Sequence, residues 1–589
     1  MVLMMRRCVA VLAMSATLVA TSMIGGTGVA AAIEPPGVDP AALPAAGEPG
    51  PEHEMKQTAA CDTGVLVAEP DVKLPAPGFA MLNIEQAWKF STGAGVTVGI
   101  VDTGVKPNPR LPRLYAGGDY VMGKKDIGGL EDCEGHGTVV ASIIGAQPSD
   151  PARKPPTRPE NAPPLPPPPP PPGQGAPVTP SPTPVPVTVT VETKAPPPPP
   201  APAPPPPPPP EDGSAPAAHH QVAPQDQPVM AAGGSYSVAP MRAPPAPMDP
   251  PPPPPEQDAF IGVAPDVSLI SVRQSSSAFS PVSGGYDPDG RIKKAGDLLG
   301  EAKAIRRLAD QGARVINLSV ESCLNAAYMV NDAAVGAALH YAVVEKDVVV
   351  VAAAGNTGEP GESCQQNPLF DPLRTDDPRD WHQVSTVVSP AWYAGADLVL
   401  AVGGVDASKE RNGLPMPESI AGPWVSVAAP STPIIGLGNN PEGSVVNARA
   451  NLQKPGETVP LWGTSFAAPY VTGVAALVRA RFPTLTAAQV MRRIIETAHH
   501  PAGGVNNQVG YGIVDPLRAL TADVDPGPRL PVPHLTEIVP RPAPPQIVDH
   551  TPRNMALIAA AVVVVVAGAT LSYAGLRRKD KSHKGLGGR

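Results

Sequence analysis

The sequence predicts an α/β fold, a mostly parallel sheet with helices on both faces, followed by one C-terminal transmembrane helix. Two observations carry the sheet. Short apolar runs alternate with segments of helical spacing, and several runs are apolar throughout instead of alternating. A strand with both faces buried reads that way, and such strands belong to parallel sheets covered by helices. The third observation is an uncharged run near the C-terminus, long enough to cross a bilayer as a helix.

Taken in order, residues 96–101 form an apolar strand. Residues 298–311 have helical spacing with Gly312 as the stop, and 314–320 form the next strand. A helix of small residues is expected at 331–345, and a fully apolar strand at 348–354. In open α/β sheets the chemistry gathers beyond the carboxyl ends of the strands.

Composition divides the rest. Of 86 prolines in the 589-residue chain, 45 lie in 147–256. Proline lacks an amide donor and has a fixed backbone angle, so such blocks favour solvated polyproline II over packed structure. The stretch is expected to be a disordered insertion in a folded domain spanning 77–520. Residues 33–76 form a polar N-terminal extension, and 521–554 a second Pro-rich linker.

Both ends carry membrane signals. Arg6 and Arg7, the apolar run that follows, and Ala30-Ala31-Ala32 make a cleavable signal peptide over 1–32. The second apolar run, 555–576, is followed by Arg577, Arg578 and Lys579, which places the tail 577–589 in the cytoplasm. The expected location is the cell membrane, single-pass, with the folded domain on the extracytoplasmic side. A net charge of −9 offers no basic face for nucleic acid. Cys61, Cys133, Cys323 and Cys364 remain after signal cleavage. In an exported chain they suggest two disulfides among three possible pairings, and none forms the C-x-x-C pair of a structural zinc site.

Four motifs sit at strand or helix ends. The strand Val98-Gly99-Ile100-Val101 delivers Asp102 at its tip, before Thr103-Gly104. Gly135-His136-Gly137-Thr138 opens an apolar helix, with glycines that allow close backbone approach. The strand at 348–354 runs into Gly355-Asn356. Gly463-Thr464-Ser465-Phe466-Ala467-Ala468-Pro469 opens a helix running to about Ala480. A serine there is ordinarily a cap, but it also lies at the positive end of a helix dipole.

The order Asp, His, Asn, Ser in these settings resembles the subtilisin (subtilase) superfamily. The resemblance covers roughly 77–145 and 259–520. Gly262-Val263-Ala264-Pro265, Val315-Ile316-Asn317-Leu318-Ser319, Tyr511-Gly512 and Val514-Asp515 extend it. The signal, the cysteine-bearing extension, the Pro-rich loop and the terminal span are similar to the mycosins, subtilases of type VII secretion systems. The resemblance implies a serine endopeptidase with Asp102, His136 and Ser465 as triad and Asn356 as oxyanion donor. Ser319, Val320 and Glu321 would bind substrate backbone, although many subtilases have glycine where Val320 and Glu321 stand. It implies a protein or peptide substrate and a type VII secretion membrane complex as partner. The alternative is a mainly structural component of that complex. A lipase or esterase would need G-x-S-x-G and another triad order. No cofactor or metal is expected, since the usual calcium loops are not recognisable. In the subtilase fold the segments carrying Cys323 and Cys364 leave neighbouring strands, which implies that pair and leaves Cys61 with Cys133. The extension would then be a permanent wrap instead of a released propeptide.

Overall fold

Buried valine and alanine runs become the centre of a seven-stranded parallel sheet. The computed structural model describes residues 33–531 except 63, 124–127, 156–257, 286–292, 359–363, 370–379, 441–442 and 451–455, together with 566–568 and 570–571. The strands are β1 (Thr97–Asp102), β2 (Leu114–Asp119), β3 (Ser268–Arg273), β4 (Val315–Leu318), β5 (Val349–Ala353), β6 (Leu400–Asp406) and β7 (Val425–Thr432). Their order is β7-β6-β5-β4-β1-β3-β2, with every neighbouring pair parallel. Each residue of β1, β4 and β5 is buried, as expected of strands covered on both faces.

The covering helices are α1 (His136–Gly145), α2 (Leu298–Asp310), α3 (Ala333–His340), α4 (Thr464–Arg481) and α5 (Ala487–Thr497). Asp297 caps α2 by accepting the Gly300 amide, and Thr486 and Gln489 form a capping box on α5. The expected helix at 331–345 is α3 followed by one π turn, Tyr341–Glu345. The strand expected at 314–320 ends at Leu318. The next residues leave the sheet and enter a short strand, Ser322–Asn325, which pairs with Thr386–Ser389. Helix α4 is buried along nearly its whole length and runs against the central strands.

The chain moves to one side of β1 for β2 and β3 and to the other for β4 onward. The strand order therefore reverses at β1, and clefts open at such a point, outside the carboxyl ends.

The N-terminal extension is laid on this domain by main-chain bonds. Met55–Gln57 pairs antiparallel with Phe279–Pro281, and Gly64–Val65 pairs with Ala448–Ala450. Asn447 takes the Val67 amide on Oδ1 and donates to the Val67 and Pro70 carbonyls. Sulfur bridges join Cys61 to Cys133 and Cys323 to Cys364. The insertion expected at 147–256 lies outside the described residues beyond position 155, as does the signal segment 1–32. The expected span at 555–576 is described only at 566–568 and 570–571, which are helical. Among the described residues no helix is long and apolar enough to cross a membrane.

Candidate active site

Asp102 is the last residue of β1 and wholly buried. Its Oδ1 accepts the Thr103 amide at 2.7 Å and lies 2.7 Å from Nδ1 of His136. Nε2 of the same ring lies 2.8 Å from Oγ of Ser465. Asp102, His136 34 positions later and Ser465 a further 329 positions on thus form one continuous hydrogen-bonded line. His136 is the first residue of α1, and Ser465 lies in the first turn of α4.

Local sequence explains the closeness. A Cβ at Gly137 would fall 2.0 Å from the Gly104 carbonyl oxygen, and one at Gly104 would fall 1.8 Å from that of Glu131. Only glycines let the loop after Asp102 lie against the start of the His136 helix. Asp132 then ties the two segments together. Its carboxylate accepts Thr103 Oγ1 at 2.8 Å, the Gly135 and Thr138 amides at 2.8 Å, and Thr138 Oγ1 at 2.6 Å. Sequence reading passed over Asp132. The available signal was a carboxylate three residues before Gly135, placed to take the orphan amides of a helix start.

The serine side is organised by Pro469. Proline at this position has no N–H for the Ser465 carbonyl four residues earlier. That carbonyl instead accepts Ser319 Oγ at 2.7 Å, and Ser319 Oγ accepts Asn317 Nδ2 at 2.8 Å. Asn317 Oδ1 accepts Thr472 Oγ1 at 2.8 Å, which ties β4 to α4. The Ser319 side chain is thus turned inward beneath the serine, while Val320 and Glu321 are partly exposed.

Asn356 follows the end of β5. Its Oδ1 accepts the Thr464 amide at 2.8 Å, which directs Nδ2 toward the site. There Nδ2 donates to Glu321 Oε1 at 3.1 Å. The Phe466 ring stands 4.8 Å from the His136 ring, centre to centre, and is buried beside it.

Electrostatics favour a charged imidazole. Burial alone would lower the pKa of His136, but Asp102, through charge and hydrogen bond, and then Asp132 and Glu321 raise it above its ordinary value. Burial pushes Asp132 up to about 6 against the pull of its Thr138 bonds. Partial burial also pushes Glu321 up, opposed by His136 and by the Asn356 amides.

A cleft of about 1100 Å³ opens beside His136, Asn356 and Phe466. His136, Asn356, Phe466, Cys133, Trp462 and Phe279 are among its walls, with residues of the extension from Ala59 to Gly64. Among the described residues no cluster of three or more His, Cys, Asp or Glu is placed to hold a metal ion.

The model of the subtilase family matches residues 248–512, which include Asn356 and Ser465. Mycosin-2 of Mycobacterium tuberculosis is 50% identical over 95% of this chain and 98% of its own length. Mycosin-5 of the same organism is 47% identical over 97% of this chain and 96% of its own. A structure described as the serine protease MycP1, an essential component of the type VII (ESX-1) secretion system, is 36% identical. It covers 83% of this chain and all of that one, with a TM-score of 0.60. One chain of an intact ESX-5 inner membrane complex is 38% identical over 92% of this chain and all of its own, also with a TM-score of 0.60. The chain belongs to the mycosins, the subtilisin-like serine proteases of type VII secretion systems.

Proposed function

We propose that the chain is a membrane-anchored endopeptidase that processes proteins of a type VII secretion system, with Asp102, His136 and Ser465 as its triad. The hydrogen-bonded line from Asp102 through His136 to Ser465 carries the reading. Serine is a weak nucleophile at neutral pH and needs a base during attack. His136 Nε2 takes the Ser465 proton as Oγ bonds to the substrate carbonyl carbon. It then gives that proton to the leaving amine as the peptide C–N bond breaks. Asp102 accepts from Nδ1, selects the tautomer with Nε2 free, and stabilises the imidazolium. Water, deprotonated by the same nitrogen, releases the acyl group. The tetrahedral oxyanion takes hydrogen bonds from Asn356 Nδ2 and from the Ser465 amide. The backbone at Ser319, Val320 and Glu321 would receive the substrate as an added strand.

The extension is read as a permanent part of the domain, supported by its two strand pairings and the Cys61–Cys133 bridge. The anchoring span and the extracytoplasmic location rest on the apolar run at 555–576 and the basic tail. Relatives solved in an ESX-5 inner membrane complex and its periplasmic assembly support them. Those assemblies also favour a second reading, in which the fold mainly stabilises the secretion complex.

Fluorophosphonate labelling of the purified chain tests the first reading. Ser465 should be labelled, and Ser465→Ala should abolish both labelling and peptide cleavage without lowering the melting temperature. Cleavage that survives Ser465→Ala would remove the triad. Full secretion by Ser465→Ala cells, with secreted proteins keeping their wild-type termini, would favour the structural role.

A further inference from the structure

One of the two N–H groups of the oxyanion donor is already engaged. Asn356 Nδ2 donates to a carboxylate oxygen of Glu321 at 3.1 Å, and the Asn356 backbone amide also stabilises that carboxylate. The Thr464 amide holds Asn356 Oδ1 at 2.8 Å, so Nδ2 is not free to swing to another acceptor. The place is the catalytic one: a Cβ at Gly463 would lie 3.2 Å from Ser465 Oγ and 3.5 Å from Asn356 Nδ2. No lysine or arginine among the described residues forms an ion pair with Glu321. Its charge is answered by the two Asn356 donors and by His136, whose imidazole it also favours in charged form.

We propose that Glu321 is an internal competitor for the oxyanion hole, so that the resting protease is self-occluded and substrate must displace this carboxylate from Asn356 before Ser465 can attack. A carboxylate oxygen on an amide donor mimics the oxyanion of the tetrahedral intermediate, and hydrogen bonds to ionised acceptors are the stronger ones. The binding energy of the substrate strand is then spent partly on displacing Glu321, which lowers turnover of short or poorly held peptides most. Glu321 acts through Asn356 and does not itself touch the reacting atoms. The proposal rests on the assignment of Ser465 and Asn356 to catalysis.

The test is the second-order rate of fluorophosphonate labelling, whose phosphoryl oxygen needs the same donor, measured on the full purified chain. Glu321→Ala should label about tenfold faster than wild type, with the isosteric, uncharged Glu321→Gln in between. In an Asn356→Ala background the same substitution should produce no gain, because there is no donor left to release. Three outcomes overturn the proposal: labelling by Glu321→Gln within twofold of wild type or slower, a loss on Glu321→Ala at an unchanged melting temperature, or an equal gain with Asn356 absent. Persistent labelling of Ser465→Ala would instead refute the underlying triad, so the two failures are distinguishable.

Discussion

Removing the Cys61–Cys133 bridge isolates how the N-terminal extension is held. In the unfolded chain the bridge closes a loop of 72 residues. The loop-closure relation gives an entropy restriction of about 15 cal/mol/K, or about 4.4 kcal/mol at 25 °C. Other contacts join the same segments: the Asp62 amide donates to the Cys133 carbonyl at 2.8 Å, and Asn439 Nδ2 reaches the Asp62 and Asp132 carbonyls at 3.0 Å. Cys61→Ala with Cys133→Ala should therefore lose close to the loop contribution. With an unfolding entropy of about 2.1 cal/mol/K per residue over the roughly 360 described residues of 33–531, the melting temperature should fall by about 5–6 °C. Calorimetry of the two forms, with urea unfolding alongside, measures it. The Cys323–Cys364 bridge closes 41 residues and should cost slightly less, about 3.9 kcal/mol. A loss under about 1 kcal/mol for the double alanine variant would refute the reasoning, since the extension would then owe nothing to a constrained unfolded state.

Three further outcomes follow from other parts of the molecule. The acid limb of kcat/KM should have its midpoint above 6.5, because His136 is raised from that value and only its neutral form can accept the Ser465 proton. Activity is thus lost as pH falls through the raised pKa, and Glu321→Gln should move the limb downward; a wild-type midpoint below 6.5 would mean that burial outweighs Asp102, Asp132 and Glu321. Arg273→Met breaks the fully buried pair with Asp119, whose Oδ2 lies 2.6 Å from Nη2, and leaves a buried carboxylate with no counter-charge on Oδ2 and only the Val121 and Met122 amides on Oδ1. Urea unfolding should show a loss of about 3–5 kcal/mol, and a loss below 1 kcal/mol would mean that Asp119 finds water. Replacing 156–256 with a short Gly-Ser linker should leave peptidase activity intact. The flanks already meet, with Ser149 Oγ donating to the Asp258 carbonyl at 3.0 Å, and loop length costs entropy only slowly; a large fall in melting temperature would show that the segment is packed.

Asp102, His136, Asn356 and Ser465 were legible in the sequence because each sits in a signal that is local. A buried strand ends at a carboxylate, glycines flank a histidine, and a helix of small residues begins at a serine. The parallel sheet was legible for the same reason, since strands buried on both faces need continuous apolar runs. Element ends were less so: β4 stops at Leu318 because the chain leaves the sheet toward the strand Ser322–Asn325, a choice made by the partner at Thr386–Ser389. Pro469 was visible, but not that its missing amide hands the Ser465 carbonyl to Ser319. Asp132 was an ordinary acid until the loop at Thr103 folded against it. The contact between Glu321 and Asn356 joins residues 35 positions apart, after two different strands. Sequence patterns record backbone conformation and which face is buried, and both repeat over a few residues. Which side chain meets which at the site is decided by how strands distant in the chain are ordered in the sheet, and no local period encodes that order.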